Sequence, residues 1–480
     1  MTDTPKIMLD PDRLFPADPT TRSFAREIYE TIRDLPIVSL HGHVDPALLA
    51  ADEPFRSATQ LLVTDDHYIT RLMVSQGVPL DLFDWTRPAG REAAASDREV
   101  WREFCRRWPA FRATPSRLWL EYELVEILGV DERPSAESAD RIFDAIAERL
   151  DDAAFRPRAL FERFGIDVLA TTDEPWSDLA YHDVLRDSGL RGAVIPTMRP
   201  DKLFEVAHAD WTESVRKFEE AAGARIDDAE DLIAAIAIRR EFFRSRGATA
   251  TDHGSPTMEV RPMPAADVDR IFAAARAGAE VAAADADAFR AHMLFETARL
   301  AAQDGLVMQL HAGAIRDYDP RVSSVHGPDR GFDIPMWTDA ANALRPLLGA
   351  FGFEERFRCV VYTLDESLWS RELAPLAGAY PALFLGAPWW FLDTPSAMRR
   401  HREAVTDTAG FYNTAGFVDD TRAFLSIPAR HDTARRSDAA ALAELVAAGL
   451  LPLAEAQELA IDLTSHIPTT VFRWKKEMDS

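Results

Sequence analysis

The sequence has almost no cysteine and a shortage of positive charge. Cys105 and Cys359 are its only cysteines and lie far apart, which excludes a disulfide framework and any zinc site built from clustered cysteines. Lys and Arg number 54 against 79 Asp and Glu, giving a formal net charge of -25. This balance argues against nonspecific binding to nucleic acid or to an anionic membrane, and an anionic substrate would need a local basic pocket.

Long apolar runs are also missing. None approaches the roughly 18 residues of a membrane span, and Asp and Pro interrupt the N-terminal segment before any signal-peptide core can form. The 47% hydrophobic content nevertheless suffices for a large core. We therefore expect a soluble protein of a reducing compartment, most simply the cytoplasm, and the sequence is compatible with a homo-oligomer.

Eight short apolar runs are each followed by polar or aromatic residues. The runs are 37–40, 166–170, 193–196, 248–251, 306–310, 359–363, 382–385 and 415–418. Such runs are typical of buried parallel strands whose carboxyl ends carry the chemistry. Helical patterns such as 227–246 and 284–303 lie between most of them. The alternation predicts an α/β fold, a (β/α)8 TIM-type barrel with its active site at the carboxyl ends of the strands.

We expect residues 1–480 to form a single barrel with two helical excursions. Residues 72–160 are predicted as a helical insertion between the first two strands that packs over the mouth of the barrel. Residues 202–246 are predicted to contain two or three helices. No internal repeat or Gly/Ser linker marks a boundary between autonomous domains.

Two histidines and a late carboxylate form the first candidate site. On a strand, residues two apart face the same side, so His41 and His43 would enter the barrel mouth together. Neutral imidazole suits zinc and other divalent transition metals, and Asp420, after the last run, could complete the ligand set. The alternatives are two structural histidines and, for Asp420 with Arg422, a solvated ion pair.

Other candidates follow the remaining runs. Arg199 and Arg422 offer planar forks for a substrate carboxylate. His311 could be a further metal ligand or a proton carrier, although a lone histidine at a strand end is more often a packing residue. Asp252 follows the fourth run, where the simplest interpretation is a turn.

Two pairs of neighbouring residues have equally open interpretations. His67 and Tyr68 belong to a polar cluster that could carry chemistry or could begin a helix capped by carboxylates. Trp389 and Trp390 could line a sugar pocket, because aromatic faces stack on sugar C–H surfaces, or could belong to the core.

Ten segments occur in the order found in one known family. They are PIVSLHGHVDP, DDHYITR, ATPSRLWLEYEL, LATTDEPWSDLAYH, VIPTMRPDK, TDHG, MQLHAGAIRD, YTLD, GAPWWF and FVDDTRAFLSIPARHDTARR. Over residues from about 36 to 436 the chain resembles the uronate isomerase (glucuronate isomerase) family of the amidohydrolase superfamily. The resemblance implies a distorted (β/α)8 barrel with an added helical region. It also implies conversion of D-glucuronate to D-fructuronate and of D-galacturonate to D-tagaturonate.

The resemblance also implies roles. His41, His43 and Asp420 match the metal-binding residues of the family. The positions that match residues holding the substrate or moving protons are His67, Tyr68, Arg199 and Arg422, with Trp389 or Trp390 beside the substrate. Ser39 and Gly42 stand where better-known members have Asp and Cys, and one extra residue lies near Ala429. These departures indicate a divergent branch.

Isomerisation of an aldose to a ketose moves a proton from C2 to C1 through an enediol. We expect one divalent metal ion, with zinc as the first choice, and no organic cofactor, because no net redox change occurs. Tyr68, with His67 beside it, would relay the C2 proton. A nearby cation, Arg422 or Arg71, would lower the pKa of that tyrosine. Asp420 would handle a hydroxyl proton; the alternative gives the C2 proton to Asp420 or to a metal-bound water.

Two other functions remain open from the residues alone. One is a metal-dependent hydrolase or decarboxylase on the same barrel, and the other is a non-catalytic protein that binds sugar acids. Many such hydrolases have a lysine after the fourth strand and a histidine after the sixth. Here those places hold Asp252-His253 and Asp365, which argues against a two-metal hydrolase.

Overall fold

Seven of the eight apolar runs form parallel strands. The computed structural model describes residues 5–83 and 95–475. Within these ranges the strands are β1 (Ile37–Ser39), β2 (Ile166–Ala170), β3 (Ala193–Ile195), β4 (Ala250–Ser255), β5 (Val307–Ala312), β6 (Ala314–Ile315), β7 (Ile334–Pro335), β8 (Cys359–Thr363) and β9 (Leu383–Leu385). The expectation of an α/β fold with parallel strands is confirmed.

The parallel strands pair in chain order. One sheet has the order β1-β2-β3, and a second has the order β4-β5-β8-β9. Single parallel bridges join Asp173 to Met198 and Met198 to Thr251, so β3 continues towards β4. At the other end, the His43 amide donates to the Thr421 carbonyl at 3.0 Å, which brings the last segment of the chain beside β1.

The eighth run, 415–418, does not form a strand. It pairs with β9 only around one bridge, between Leu385 and Thr414. Gly416 (φ +77°) and Asp420 (φ +43°) both have left-handed backbone conformations, which interrupt an extended ladder. The prediction of a strand here was wrong, although the segment lies where that strand was expected.

Helices account for most of the remaining described chain. They are α1 (Pro19–Ile32), α2 (Pro46–Ala51), α3 (His67–Ser75), α4 (Asp97–Arg107), α5 (Pro115–Tyr122), α6 (Ala139–Leu150), α7 (Pro157–Arg163), α8 (Ala180–Arg186), α9 (Asp201–Phe204), α10 (Trp211–Ala222), α11 (Ala229–Arg244), α12 (Ala265–Arg276), α13 (Ala283–Asp304), α14 (Pro320–His326), α15 (Ala340–Ala343), α16 (Arg345–Phe351), α17 (Ala374–Ala377), α18 (Pro395–Ala409), α19 (Ser426–Ala447), α20 (Leu453–Ile461) and α21 (Ile467–Val471). Short π-helical segments occur at Gln60–Thr64, Glu123–Ile127, Trp369–Leu373 and Asp462–His466. Helices α2 to α7 therefore lie between β1 and β2, and α9 to α11 lie between β3 and β4. Residues 84–94 of the predicted insertion lie outside the described residues.

One apolar cluster takes side chains from most of the parallel strands. Alternate residues of a strand point to the same side, so every second side chain enters this cluster. Its strand members include Val38, Val168, Ala170, Ile195, Ala250, Val307, Val360 and Tyr362. Burial of these side chains fixes the strands against one another, and with them the polar residues that follow each strand.

Sequence patterns did not predict the excursion between β5 and β8. Strands β6 and β7 form an antiparallel hairpin that encloses α14. Both hairpin strands have only two residues, which explains why no periodic signal announced them. The excursion matters because it carries charged residues to the mouth of the cavity described below.

Within the described residues, no helix combines the length and the apolar character needed to cross a bilayer.

Candidate functional site

A cavity of about 1300 Å³ opens at the carboxyl ends of the parallel strands. The candidate residues chosen from the sequence all line it, although they come from distant parts of the chain. They are His41, His43, His67, Tyr68, Arg199, His311, Trp389, Trp390, Asp420 and Arg422. The fold thus brings every proposed site residue to one cavity.

His41, His43 and Asp420 meet at the bottom of the cavity. Asp420 Oδ1 lies 3.2 Å from His41 Nε2 and 2.9 Å from His43 Nε2. The two histidines lie just after β1 rather than on it, so the strand geometry expected for them was wrong. Their rings are 86° apart, with centroids separated by 5.2 Å, and both still point a nitrogen at the same carboxylate.

Electrostatics keep the Asp420 carboxylate ionised. Burial raises its pKa, but the imidazoles of His41 and His43 lower it more, so the net pKa falls well below the usual value. A buried, ionised carboxylate against two imidazoles is a donor set that a divalent cation stabilises. Ligand atoms at about 2.0–2.1 Å from a tetrahedral zinc lie about 3.3 Å apart. The observed separations of 2.9 and 3.2 Å fit such an ion.

A second group of potential ligands shares His41. Its other members are Asp252 and His311, and the ligand atoms of each group lie within 4.8 Å of one another. Asp252 belongs to β4, which extends beyond the predicted run, so the interpretation of this residue as a turn was wrong. Its Oδ1 lies 2.7 Å from His311 Nδ1. His311 Nε2 is buried and has no hydrogen-bond partner within the described chain, so it is free to meet a ligand.

His311 also belongs to an aromatic stack. Its ring stacks on Tyr362 at 4.0 Å and on His41 at 4.4 Å, and the edge of Trp389 lies 4.8 Å away. The neighbouring Trp390 has a left-handed backbone (φ +53°), an uncommon state for a bulky residue. Both tryptophans are buried except where they face the cavity. They form a stiff wall on one side of it.

The two candidate arginines differ in their partners. Arg199 is held between Asp201 at 2.7 Å and Asp252 at 3.2 Å. Arg422 pairs with Asp329 at 3.1 Å, and these side chains are 41% and 43% exposed. A substrate carboxylate therefore competes with two buried carboxylates for Arg199, but with one solvated carboxylate for Arg422.

Sequence reasoning missed the charged residues of the β6–β7 excursion. Arg316 lies 3.6 Å from Asp329 and 3.5 Å from Asp333, and its guanidinium stacks 4.6 Å over the ring of Trp390. The signal was present, because Arg316 is the penultimate residue of the segment MQLHAGAIRD, which begins within β5. Asp329 gave no such signal, since only the fold brings the excursion next to Arg422.

His67 and Tyr68 begin helix α3. The Tyr68 amide donates to Asp66 Oδ1 at 2.8 Å, so Asp66 caps the helix and fixes the direction of both side chains. The rings of His67 and Tyr68 stack at 4.7 Å. Burial, followed by the charge of Arg422, lowers the pKa of His67 to about 3, whereas burial raises the pKa of Tyr68. Both side chains are therefore neutral at neutral pH.

The cation over the Tyr68 ring differs from the sequence expectation. Arg422 or Arg71 was expected to lie near Tyr68 and lower its pKa, but the guanidinium that faces this ring, 5.0 Å from its centroid, belongs to Arg430. The expected lowering was wrong, because burial raises the pKa of Tyr68. Arg71 instead stacks at 4.5 Å on Phe391. Arg430 was visible in the sequence only as part of the segment around the extra residue near Ala429.

Glu123 is buried near Arg430, and we expect it to make stability depend on pH. Burial, together with the charge of Asp66, raises the pKa of Glu123 well above the usual 4.5. Above that value the unfolded chain releases the proton that the folded chain retains, so this residue lowers stability as pH rises. Glu123→Gln should therefore reduce the fall in unfolding temperature between about pH 5 and about pH 8. Thermal melts of the wild type and of Glu123→Gln at several pH values measure this change in unfolding temperature.

Glu126→Gln is the matched control for this prediction. Glu126 belongs to the same π-helical segment but is exposed, so its replacement should leave the pH dependence of the wild type unchanged. Parallel curves for the wild type and Glu123→Gln would contradict a protonated Glu123.

Known proteins resemble this chain over almost its whole length. The model of the glucuronate isomerase family matches residues 19–467. The uronate isomerase of Phenylobacterium zucineum is 48% identical over 470 residues, which cover 98% of each chain.

Two crystal structures resemble it as well. The glucuronate isomerase from Caulobacter crescentus aligns with a TM-score of 0.96 and 44% identity over 99% of each chain. The uronate isomerase from Thermotoga maritima aligns with a TM-score of 0.90 and 27% identity, over 97% of this chain and 99% of that one. The similarity therefore extends over the strands and the helices between them.

Proposed function

The chain belongs to the glucuronate isomerase family, and from this premise we propose that its cavity interconverts D-glucuronate with D-fructuronate and D-galacturonate with D-tagaturonate. The enzyme is a uronate isomerase. The observation that carries the assignment of the site is the convergence of His41, His43 and Asp420 beside Tyr68 and Arg422 in one cavity. The reaction runs through an enediol, as required when a proton moves from C2 to C1.

The architecture that we propose is a distorted (β/α)8 barrel formed by one domain over residues 1–480. The bridges from β3 to β4 and from β9 to Thr414, together with the shared apolar cluster, support closure of the two sheets. Residues 72–160 are proposed as the helical insertion over the mouth, and residues 202–246 as the second helical excursion. We propose a cytoplasmic location and a homo-oligomeric state, with a small uronate as the partner and no nucleic acid or membrane.

We propose that His41, His43 and Asp420 hold one divalent ion, zinc by its ligand preference. When bound, such an ion supplies positive charge that orients substrate hydroxyls and stabilises a developing oxyanion. No organic cofactor is needed, because the aldose and the ketose have the same oxidation state overall. The net charge of this ligand set, with one carboxylate and two neutral imidazoles, leaves the bound ion cationic and attractive to a sugar acid.

Arg422 is the first cation that a substrate carboxylate meets in this proposal. Its partner Asp329 is solvated and can be displaced, whereas Arg199 is already held by Asp201 and Asp252. Trp389 and Trp390 offer the flat wall against which the C–H face of the sugar packs, and His311 completes it.

Tyr68 and Asp420 move the protons. Because burial raises the pKa of Tyr68, its hydroxyl keeps its proton and can donate it to the C1 oxygen as the enediol forms. Tyr68 then regains a proton from the C2 hydroxyl as the ketone forms. Asp420, the ionised carboxylate of the site, accepts a proton, either from a hydroxyl or from C2. His67 stays neutral and stacks on Tyr68, which holds that ring in place.

A substrate panel tests the function directly. The purified enzyme is incubated with D-glucuronate, D-galacturonate and the matching uncharged aldoses in deuterated water, and products are followed by NMR. We expect ketose formation from the uronates, with solvent deuterium entering the C–H positions through the enediol. Absence of ketose from both uronates would refute the proposal.

Arg422→Met tests the carboxylate contact. A hydrogen-bonded charge of this kind contributes about 1.5–3 kcal/mol, so KM for glucuronate should rise about 10–100-fold. Steady-state kinetics measure it. Arg321→Met is the control, because Arg321 pairs with Asp319 on the exposed surface and does not line the cavity. An unchanged KM in Arg422→Met would assign the carboxylate to another cation.

A further inference from the structure

Arg430 is a buried cation directly behind the proposed catalytic residues. It lies on α19, and only 1% of its side chain is exposed. Its guanidinium stacks 3.8 Å over Trp119 and faces the ring of Tyr68 at 5.0 Å. Trp119 in turn meets Tyr68 edge-on at 5.8 Å. The Tyr68 ring thus contacts both members of a stacked guanidinium–indole pair, and the two members come from distant helices.

The same guanidinium supports the turn that carries Asp420. Arg430 Nη1 donates to the Asp419 carbonyl at 3.4 Å, and its Nε donates to Ser426 Oγ at 3.1 Å. Ser426 Oγ also lies 3.0 Å from Thr421 Oγ1. Asp420 therefore has a supported residue on each side. Its backbone needs that support, because φ of +43° is unfavourable for a residue with a side chain.

Carboxylates fix Arg430 in return. Asp393 accepts a hydrogen bond from Nη1, and its side chain is also buried. Asp66, which caps the helix that begins with His67 and Tyr68, also interacts favourably with the charge of Arg430. A buried arginine is costly unless its donors and its charge are matched, so the pairing with Asp393 holds the fork in one orientation.

We propose that Arg430 is a positioning residue that holds the Tyr68 hydroxyl and the Asp420 carboxylate in the relative orientation that proton transfer requires. Its guanidinium contacts both the Tyr68 ring and the backbone of the turn that carries Asp420. No other guanidinium within the described chain contacts both. The inference rests on the proposed function, since it assigns a purpose to the geometry between those two residues. It extends that proposal because Arg430 itself does not line the substrate cavity.

Arg430→Lys tests this role. Lysine keeps the charge but is a point charge that cannot bond to Asp393, Asp419 and Ser426 at once. Misplacement by about 1 Å can cost about 100-fold in rate, so kcat should fall about 10–100-fold while KM stays within about twofold. The isotope effect with C2-deuterated glucuronate should increase, because proton transfer becomes slower relative to the other steps. Metal content should equal that of the wild type.

Arg240→Lys is the matched control. Arg240 is equally buried, with 1% of its side chain exposed; it pairs with Asp304 and does not line the cavity. This variant should lose thermal stability while kcat, KM and the isotope effect remain those of the wild type. If Arg430→Lys behaves like Arg240→Lys, the role of Arg430 is structural only and the proposal is overturned.

Ser426→Ala keeps the proposal testable if Arg430→Lys does not fold. It removes one acceptor of the Arg430 fork and one support of Thr421, so kcat should fall a few-fold at unchanged KM, with a larger isotope effect. An unchanged kcat would overturn the proposal.

Tyr68→Phe, measured in parallel, separates failure of the proposed function from failure of the positioning role. Full turnover in that variant would refute the role of Tyr68 itself. Loss there with normal turnover in the Arg430 and Ser426 variants would refute only the positioning role.

Discussion

Asp420→Asn is expected to lower turnover of glucuronate by at least about 10³-fold, because one carboxylate both holds the cation and accepts a proton. Asparagine has nearly the same shape and tolerates the left-handed backbone found at this position (φ +43°), so the fold should persist. The replacement removes the negative charge that His41 and His43 share. Metal per chain, measured by elemental analysis, should fall together with kcat.

The matched control for this variant is Asp365→Asn. Asp365 also follows a parallel strand, β8, but it caps the next turn by accepting from the Ser367 amide at 2.9 Å and does not line the cavity. Its replacement should leave both turnover and metal content within about twofold of the wild type. Wild-type turnover in Asp420→Asn would refute the proposed ligand set, and normal metal content with lost turnover would restrict Asp420 to the proton step.

The order of polar residues along the sequence predicted much of the site. Buried parallel strands present their carboxyl ends together, so residues that follow successive apolar runs can meet even when they are far apart in sequence. That argument brought His41, His311 and Asp420 to one place before any geometry was known. The segment resemblance, now confirmed by the family match over residues 19–467, supplied the identity that strand counting alone could not.

The partners of the arginines could not be predicted in this way. Arg199 and Arg422 were expected to bind a substrate carboxylate. In the folded protein each of them already forms an ion pair with carboxylates of the protein itself. Asp329 reaches Arg422 from the two-stranded β6–β7 excursion, and no periodicity marks so short a hairpin. Pairings of this kind depend on side-chain packing between segments far apart, which a strand count does not contain.

Arg430 was missed for a related reason. A charged residue within a helical pattern is expected to face solvent, and α19 has charged residues throughout its length. In the structure most of α19 is buried, so its polar residues face other parts of the protein instead. A long helix with many arginines near the end of the chain could have signalled buried ion pairs, but not which rings they would contact.

Tyr68→Phe is expected to lower kcat about 10²–10³-fold with little change in KM, the range that general acid–base catalysis contributes. Phenylalanine keeps the ring contacts with Arg430 and Trp119 and leaves the hydrogen bond from the residue 68 amide to Asp66 intact. Only the hydroxyl is removed, and that hydroxyl carries a proton because burial raises the pKa of Tyr68. Steady-state kinetics with glucuronate separate kcat from KM.

Tyr29→Phe makes the comparison specific, because Tyr29 also donates its hydroxyl inside the protein, to Asp432, but lies away from the cavity. Its replacement should lower stability without changing kcat.

Exchange of the C2 hydrogen with solvent distinguishes two roles for Tyr68. If Tyr68 only donates to the oxygens, Tyr68→Phe should still exchange C2–H while ketose formation fails. If Tyr68 removes the C2 proton, exchange should be lost in proportion to kcat, and Asp420 would then be confined to the hydroxyl proton.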